Sequence, residues 1–315
     1  MNKRDNLLSL IHDPTPPNHV PAAFFMHFDK AYHSGQAAID KHLEFFRATD
    51  MDFFKIQYEQ PLPSVTAPRG QPADWAQAPL YPESFFEPTV RVVEGIVKAA
   101  KKEALVVLTL YSPFMWARHV AGEADLTQHL KENPQAVKKG LEIVTENVLN
   151  LVRACKRVGV DGFYASSQGG EAFRFPGTDI FQKYIQPTDL AVWDEINSCE
   201  FNILHICDYE GSYDDLAPFL DYPGHVVNAS LKVGGRTLTP KEISQMFKRP
   251  FMGGLERKGV IATGSPAEIH QAAQNVLAQA PERFILAADC TVPSETPWEN
   301  LKTAIETAHK FKSDL

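Results

Sequence analysis

Along the chain, short apolar, β-branched or aromatic runs alternate with stretches whose apolar positions recur at helical spacing. That alternation is the pattern of βα units feeding a parallel sheet. Eight runs stand out: 22–28 (AAFFMHF), 53–59 (FFKIQYE), 105–112 (LVVLTLYS), 162–167 (GFYASS), 201–207 (FNILHIC), 226–231 (VVNASL), 250–256 (PFMGGLE) and 284–290 (FILAADC). Most gaps hold a helix. The segment 90–104 sets apolar residues on one face and lysines on the other, and 136–158 is a second long helix. A third, 266–280, begins at Ser265-Pro266, an N-cap followed by a first-turn proline, and 298–311 follows Thr296-Pro297 with the same signal.

Eight strands alternating with helices predict a closed (β/α)8 barrel of the TIM type, one domain over 1–315. A doubly wound sheet would call for a glycine-rich turn after the first strand, and no GxGxxG is found there. Two connections are long, after strands 2 and 3. Residues 60–88 carry seven prolines with Trp75, Tyr81, Phe85 and Phe86, and 113–134 carry Phe114, Met115 and Trp116. Loops of this length either cover a site or pack on the outside as insertions.

Composition narrows the function classes. A chain of 315 residues with 44% hydrophobic and 22% charged residues is ordinary for a globular enzyme with a large core. A formal charge of −8 without a basic block argues against nucleic-acid or acidic-membrane partners. No apolar run approaches the roughly 20 residues of a membrane span. The start MNKRDNLLSLIHDPTPPNHVP lacks a signal-peptide core, so a cytoplasmic location is expected. Four cysteines do not make a disulfide framework. Cys155 and Cys199 read as buried filler.

In a barrel enzyme the reacting groups sit at the carboxyl ends of the strands. The fifth run ends His205-Ile206-Cys207-Asp208, so His205 and Cys207 share one face of the strand. The eighth ends Asp289-Cys290. One imidazole and two thiolates make a zinc set with an open fourth position, the pattern of a catalytic site. On spacing alone, a hydrogen-bonded histidine beside two small buried thiols remains the alternative. Other strand-end polar residues are candidates for the pocket. Tyr164, Gln168 and Glu171 lie in YASSQGGE, where Gly169-Gly170 lets a ligand approach the backbone. Asn228 lies in the sixth run and Glu256 ends the seventh, while His27 and Gln57 end the first and second. His33, His42, His119, His129, His225, His270 and His309 are expected at the surface.

The C-terminal part, from His205 onward, resembles the uroporphyrinogen decarboxylase superfamily. Within it, the chain is most similar to the zinc-dependent corrinoid:coenzyme M methyltransferases. The resemblance rests on the H-x-C … C pattern of His205, Cys207 and Cys290, on Gly253-Gly254, and on the helix start Thr263-Gly264-Ser265-Pro266. It rests also on the closing C-x-x-P-x-x-T-P run of Cys290, Pro293, Thr296 and Pro297. It implies a distorted (β/α)8 barrel, zinc on His205, Cys207 and Cys290, and a methyl group passed from a separate corrinoid protein or small donor to a thiol. It also implies pairing into a homodimer. The decarboxylase itself fits less well. Its arginine-bearing R-Q-A-G-R-Y motif is replaced by His27-Phe28-Asp29-Lys30-Ala31-Tyr32, and its catalytic aspartate has no counterpart in Lys55-Ile56-Gln57-Tyr58. A polyanionic tetrapyrrole without those arginines would meet an acidic protein, which electrostatics disfavours.

Three readings follow. The first is zinc-dependent methyl transfer to a thiol, with Tyr164, Asp208 and Glu256 in catalytic roles and His27, Gln57, Gln168, Glu171 and Asn228 binding substrate. The second is a metal-free decarboxylase or lyase on a small acid, and the third a non-catalytic ligand-binding barrel. Ligands from strands five and eight are not neighbours in a ring of eight, so the first reading requires either a strand count that is off by one or a barrel distorted enough to bring Cys290 across.

Overall fold

The computed structural model describes residues 2–12, 17–57, 59, 62–63 and 70–311. Seven of the eight runs become one parallel sheet: β1 (Phe54–Ile56), β2 (Val106–Tyr111), β3 (Gly162–Ser167), β4 (Ile203–Ile206), β5 (Val226–Ala229), β8 (Phe251–Leu255) and β9 (Phe284–Ala288). They pair in that order. A small hairpin, β6 (Lys232–Val233) with β7 (Arg236–Thr237), sits between β5 and β8. The remaining run, 22–28, is extended and lies in the seam between β9 and β1. Ala23 N donates to Leu286 O at 3.0 Å, Leu286 N to Pro21 O at 2.9 Å, and Asp52 N to Ala22 O at 3.0 Å. The sheet thus curls round on itself, but its seam is held by few bonds.

Helices cover the outside. Trp298–Lys310 packs against Pro266–Leu277 on one side and Gly35–Thr49 on the other. Ser265 starts its helix as the sequence predicts: its side chain accepts from Glu268 N, and Glu268 answers at Ser265 N. The matching signal before Trp298 does not work the same way. Pro297 takes the cap position with no side-chain bond, and Thr296 Oγ1 is buried without a hydrogen-bond partner among the described residues. Threonine there stands one residue too early to reach the first turn. The barrel is also distorted between β4 and β5, where only a turn of 3-10 helix, Ala217–Phe219, replaces the usual crossover helix.

Both long connections contain helix. Residues Pro113–Ala121 and Glu123–Glu132 are helical, and Ser112 caps the first by accepting from Met115 N at 3.4 Å. Ser112-Pro113 is the same start signal as Ser265-Pro266, and the aromatic content of the segment had masked it. Part of 60–88 lies outside the described residues. Within the rest, Trp75 packs on Gly140 of helix Pro134–Arg157 and donates from Nε1 to His129 Nδ1 at 3.1 Å. This piece is an outer insertion, whereas Pro113–Ala121 reaches the barrel mouth. No helix among the described residues is long and apolar enough to cross a membrane.

Residues two apart on a strand share a face, and this sorts the barrel interior into layers. Phe53 and Phe201, just before β1 and β4, meet edge to face at 5.4 Å, and Phe25 closes on Phe53 at 5.5 Å. These rings plug the barrel beneath its mouth. Two and four residues above Phe53 come Lys55 and Gln57, and four and six above Phe201 come His205 and Cys207. The apolar floor leaves an open, polar upper layer.

Candidate functional site

That upper layer is a cavity of about 250 Å³ lined by Lys55, Gln57, Tyr111, Tyr164, His205, Cys207 and Cys290. Met115, Arg118 and His119 roof it from helix Pro113–Ala121. Cys207 and Cys290 lie with Sγ atoms 4.0 Å apart, although their strands are not neighbours. Each cysteine stands just past its strand end, where inward-pointing side chains from opposite staves meet over the lumen.

Donor atoms of His205, Cys207 and Cys290 all lie within 4.8 Å of one another. Two thiolates bound to one zinc at about 2.3 Å and a tetrahedral angle stand roughly 3.8 Å apart, close to the separation seen here. The Nδ1 of His205 is buried without a hydrogen-bond partner among the described residues, a costly state for a polar atom unless something else engages it. Both observations fit a metal. The protons tell the same story. Cys290 is held well below the ordinary thiol range by a hydrogen bond from Cys207, helped by His205 and Arg257, while that same bond and burial push Cys207 well above it. The pair therefore loses its first proton easily and holds the second tightly, until a cation stabilises both thiolates.

Arg257 ties the two cysteine-bearing loops together. Its guanidinium donates to Asp208 Oδ1 at 2.9 Å, and its backbone N donates to Asp289 Oδ1 at 2.8 Å. Asp208 follows Cys207 and Asp289 precedes Cys290. Burial raises Asp289 to about 6 against the opposing bond from Arg257. Asp208 is thus committed to Arg257 and touches the pocket through its neighbour rather than directly.

The sequence candidates divide. His27 and Gln168 line the cavity with Gln57 and Tyr164. Gln168 Nε2 donates to Cys207 Sγ at 3.3 Å, and its Oε1 accepts from Arg118, which also holds Glu210 at 2.8 Å. The roof helix is thereby latched to the ligand loop. His27 Nδ1 contacts Glu59 Oε2 at 2.9 Å. The Tyr164 ring packs against the His205 ring at 4.8 Å with their planes tilted by 31°, but its hydroxyl donates to Asn228 Oδ1 at 2.5 Å, and burial raises its pKa well above the usual phenol range.

Three candidates belong elsewhere. Asn228 is fully buried and spends its amide on Met252 O at 2.9 Å and Ala288 O at 3.1 Å, tying three strands together. Glu171 is buried in a two-pronged ion pair with Arg174, both contacts at 2.8 Å, and also accepts from Gly169 N. Gly169 itself has φ +105°, which explains the glycine by backbone need rather than by ligand approach. Glu256 is 61% exposed and pairs with Lys232 at the surface. Among the histidines expected outside, His42 and His129 are buried. His42 accepts from Gln57 N at 3.1 Å, and burial lowers its pKa to about 4. Substituting Asn228 with alanine should lower unfolding free energy by on the order of 3 kcal/mol, because it strands two carbonyls and a phenol. Chemical denaturation will measure it.

Lys55 is the residue that sequence reading passed over. It sits inside the barrel, donates to Gln57 Oε1 at 2.7 Å, and lies over the rings of Phe25 at 4.6 Å and Tyr164 at 4.7 Å. Desolvation lowers its pKa from 10.5 to about 7, partly opposed by the two thiols and Glu59. The signal was present: Lys55 and Gln57, like Thr109 and Tyr111, are polar residues two apart in otherwise apolar strands.

Comparisons with known proteins agree with this architecture. The family model described as Uroporphyrinogen decarboxylase (URO-D) matches residues 48–311. No curated protein matches the chain. A solved methyltransferase from Methanosarcina mazei is similar in fold over 98% of each chain, with a TM-score of 0.75 at 13% identity. A B12-independent methionine synthase from Shewanella sp. W3-18-1, in complex with selenomethionine, is similar over 93% of this chain and 97% of its own, at 9% identity and a TM-score of 0.57. A putative vitamin-B12 independent methionine synthase from Listeria monocytogenes is similar over 88% and 86%, at 12% identity and a TM-score of 0.54.

Proposed function

Because the chain belongs to the uroporphyrinogen decarboxylase (URO-D) family, we propose that its pocket serves that fold's other chemistry, zinc-dependent methyl transfer to a small thiol. The observation that carries this reading is the trio of His205, Cys207 and Cys290 opening into the cavity, its two sulfurs 4.0 Å apart. The methyltransferase and methionine synthase names of similar folds support it. Decarboxylation of a tetrapyrrole is disfavoured, since the chain lacks the decarboxylase's arginine-bearing motif at His27–Tyr32 and carries a net charge of −8.

Zinc held by these three residues would bind the incoming thiol as a thiolate and keep it nucleophilic at neutral pH. The chain's own groups do the rest. Lys55 Nζ, half protonated near pH 7, takes the thiol proton and remains beside the anion as an ammonium. Gln57 holds that Nζ in place. Helix Pro113–Ala121, latched through Arg118 to Gln168 and Glu210, limits water above the pocket. The methyl group would come from a corrinoid protein or a small methylated donor.

The reading is tested by methylating a panel of small thiols with a methylated corrinoid, before and after chelation and again after zinc is restored. Activity lost on chelation and recovered with zinc is the expected result. Methyl transfer that survives chelation would show that the reaction does not depend on the metal and would overturn the reading.

A further inference from the structure

A second cluster of metal-binding side chains lies at the opposite end of the barrel, where the strands begin. Asp52, just ahead of β1, has a fully buried side chain, while those of His19 and His309 are 26% and 20% exposed. His19 Nε2 stands 2.8 Å from Asp52 Oδ1 and His309 Nε2 stands 2.8 Å from Oδ2. The two rings meet edge to face with centroids 4.4 Å apart. All three donor atoms lie within 4.8 Å of one another. Burial pushes the Asp52 carboxyl up, but the bonds from both imidazoles outweigh it and hold the group ionised, at about 2. Behind His309, its Nδ1 faces the Asp50 carboxylate at 3.9 Å, and Lys3 pairs with Asp50 at 2.6 Å.

The geometry points to a second cation site, in which His19, Asp52 and His309 bind one divalent ion of the zinc class through two Nε2 atoms and a carboxylate oxygen. Nitrogen with a single carboxylate suits zinc, nickel or copper(II), and too few oxygens are present for calcium or magnesium. Binding needs both Nε2 lone pairs, so the ion would replace the Nε2 protons that bond Asp52 in its absence, leaving each imidazole protonated on Nδ1, that of His309 directed toward Asp50. Partial exposure of both rings gives the ion a way in. The position suggests its use. His19 precedes the seam segment, Asp52 precedes β1, and His309 ends the last helix, so one ion would cross-link three distant parts of the chain. Asp52 Oδ2 already accepts from Ala22 N at 2.7 Å in the seam that backbone pairing leaves weak.

The experiment uses the full-length Cys207→Ala variant, in which the mouth trio is broken, stripped with chelator and titrated with zinc chloride. Bound metal is counted after equilibrium dialysis, and thermal unfolding is followed with and without zinc. One zinc per chain and a zinc-dependent rise in Tm are expected, both lost when His19→Gln is added. Glutamine keeps a donor for Asp52, so the fold should survive, and His309→Gln provides a second variant that circular dichroism can check. No zinc on Cys207→Ala, or uptake unchanged by His19→Gln and His309→Gln, overturns the site. Neither readout depends on methyl transfer.

Discussion

Replacing Cys207 with alanine is expected to remove one zinc per chain and to lower methyl transfer by more than about 100-fold. Loss of an outer-shell partner alone weakens a metal site by roughly 10- to 100-fold, and Cys207 supplies a donor atom itself. The remaining pair, His205 and Cys290, would also lose the hydrogen bond that holds Cys290 deprotonated. Folding should be little affected, since the substitution removes one sulfur beside a cavity that is already open. Elemental analysis of variant and wild type, purified alike, reads the metal, and thiol methylation reads the activity. A variant that keeps both would reduce His205, Cys207 and Cys290 to a hydrogen-bonded strand-end trio.

Substituting Lys55 with methionine is expected to raise stability while abolishing activity. A folded pKa of about 7 against 10.5 means that folding disfavours the charged ammonium. At about 1.4 kcal/mol per unit, this sets a ceiling near ~5 kcal/mol on the destabilisation. For a base whose pKa is lowered on folding, the cost follows the proton. Below about pH 7 the lysine is charged in both states and the cost is present in full. As pH rises from there toward 10.5 the folded protein sheds the proton first, and the cost fades. Methionine, of similar length and without charge, should therefore stabilise most near pH 6 and hardly at all above about pH 10. Urea denaturation at several pH values checks the stability, and the thiol assay checks the loss of the proton acceptor. A destabilised Lys55→Met protein at pH 6 would show that the ammonium is compensated by the thiols after all.

Much of this was readable from residues alone. Seven of the eight apolar runs marked strands of the sheet because burial on both faces writes a continuous hydrophobic signature, while the first, 22–28, lies in the seam without becoming a strand. The two-residue period put His205 and Cys207 on one face, and the family resemblance pointed to Cys290 as their companion. Serine followed by proline correctly marked the helix after Ser265, and the same signal at Ser112 went unread within an aromatic stretch.

What the chain alone could not decide is how each polar side chain is spent. Tyr164, Asn228, Glu171 and Glu256 look alike as polar residues near strand ends. Only packing shows that Glu171 meets Arg174, Asn228 stitches three strands, and Glu256 faces solvent beside Lys232. Likewise, nothing local in Phe54-Lys55-Ile56 says that the lysine is desolvated, since that depends on Phe25 and Tyr164 arriving from other staves. Periodicity is a property of neighbours in sequence, and so it fixes elements and faces. Burial, proton affinity and the meeting of Cys207 with Cys290 across the lumen depend on contacts between distant segments, which exist only once the sheet has curled.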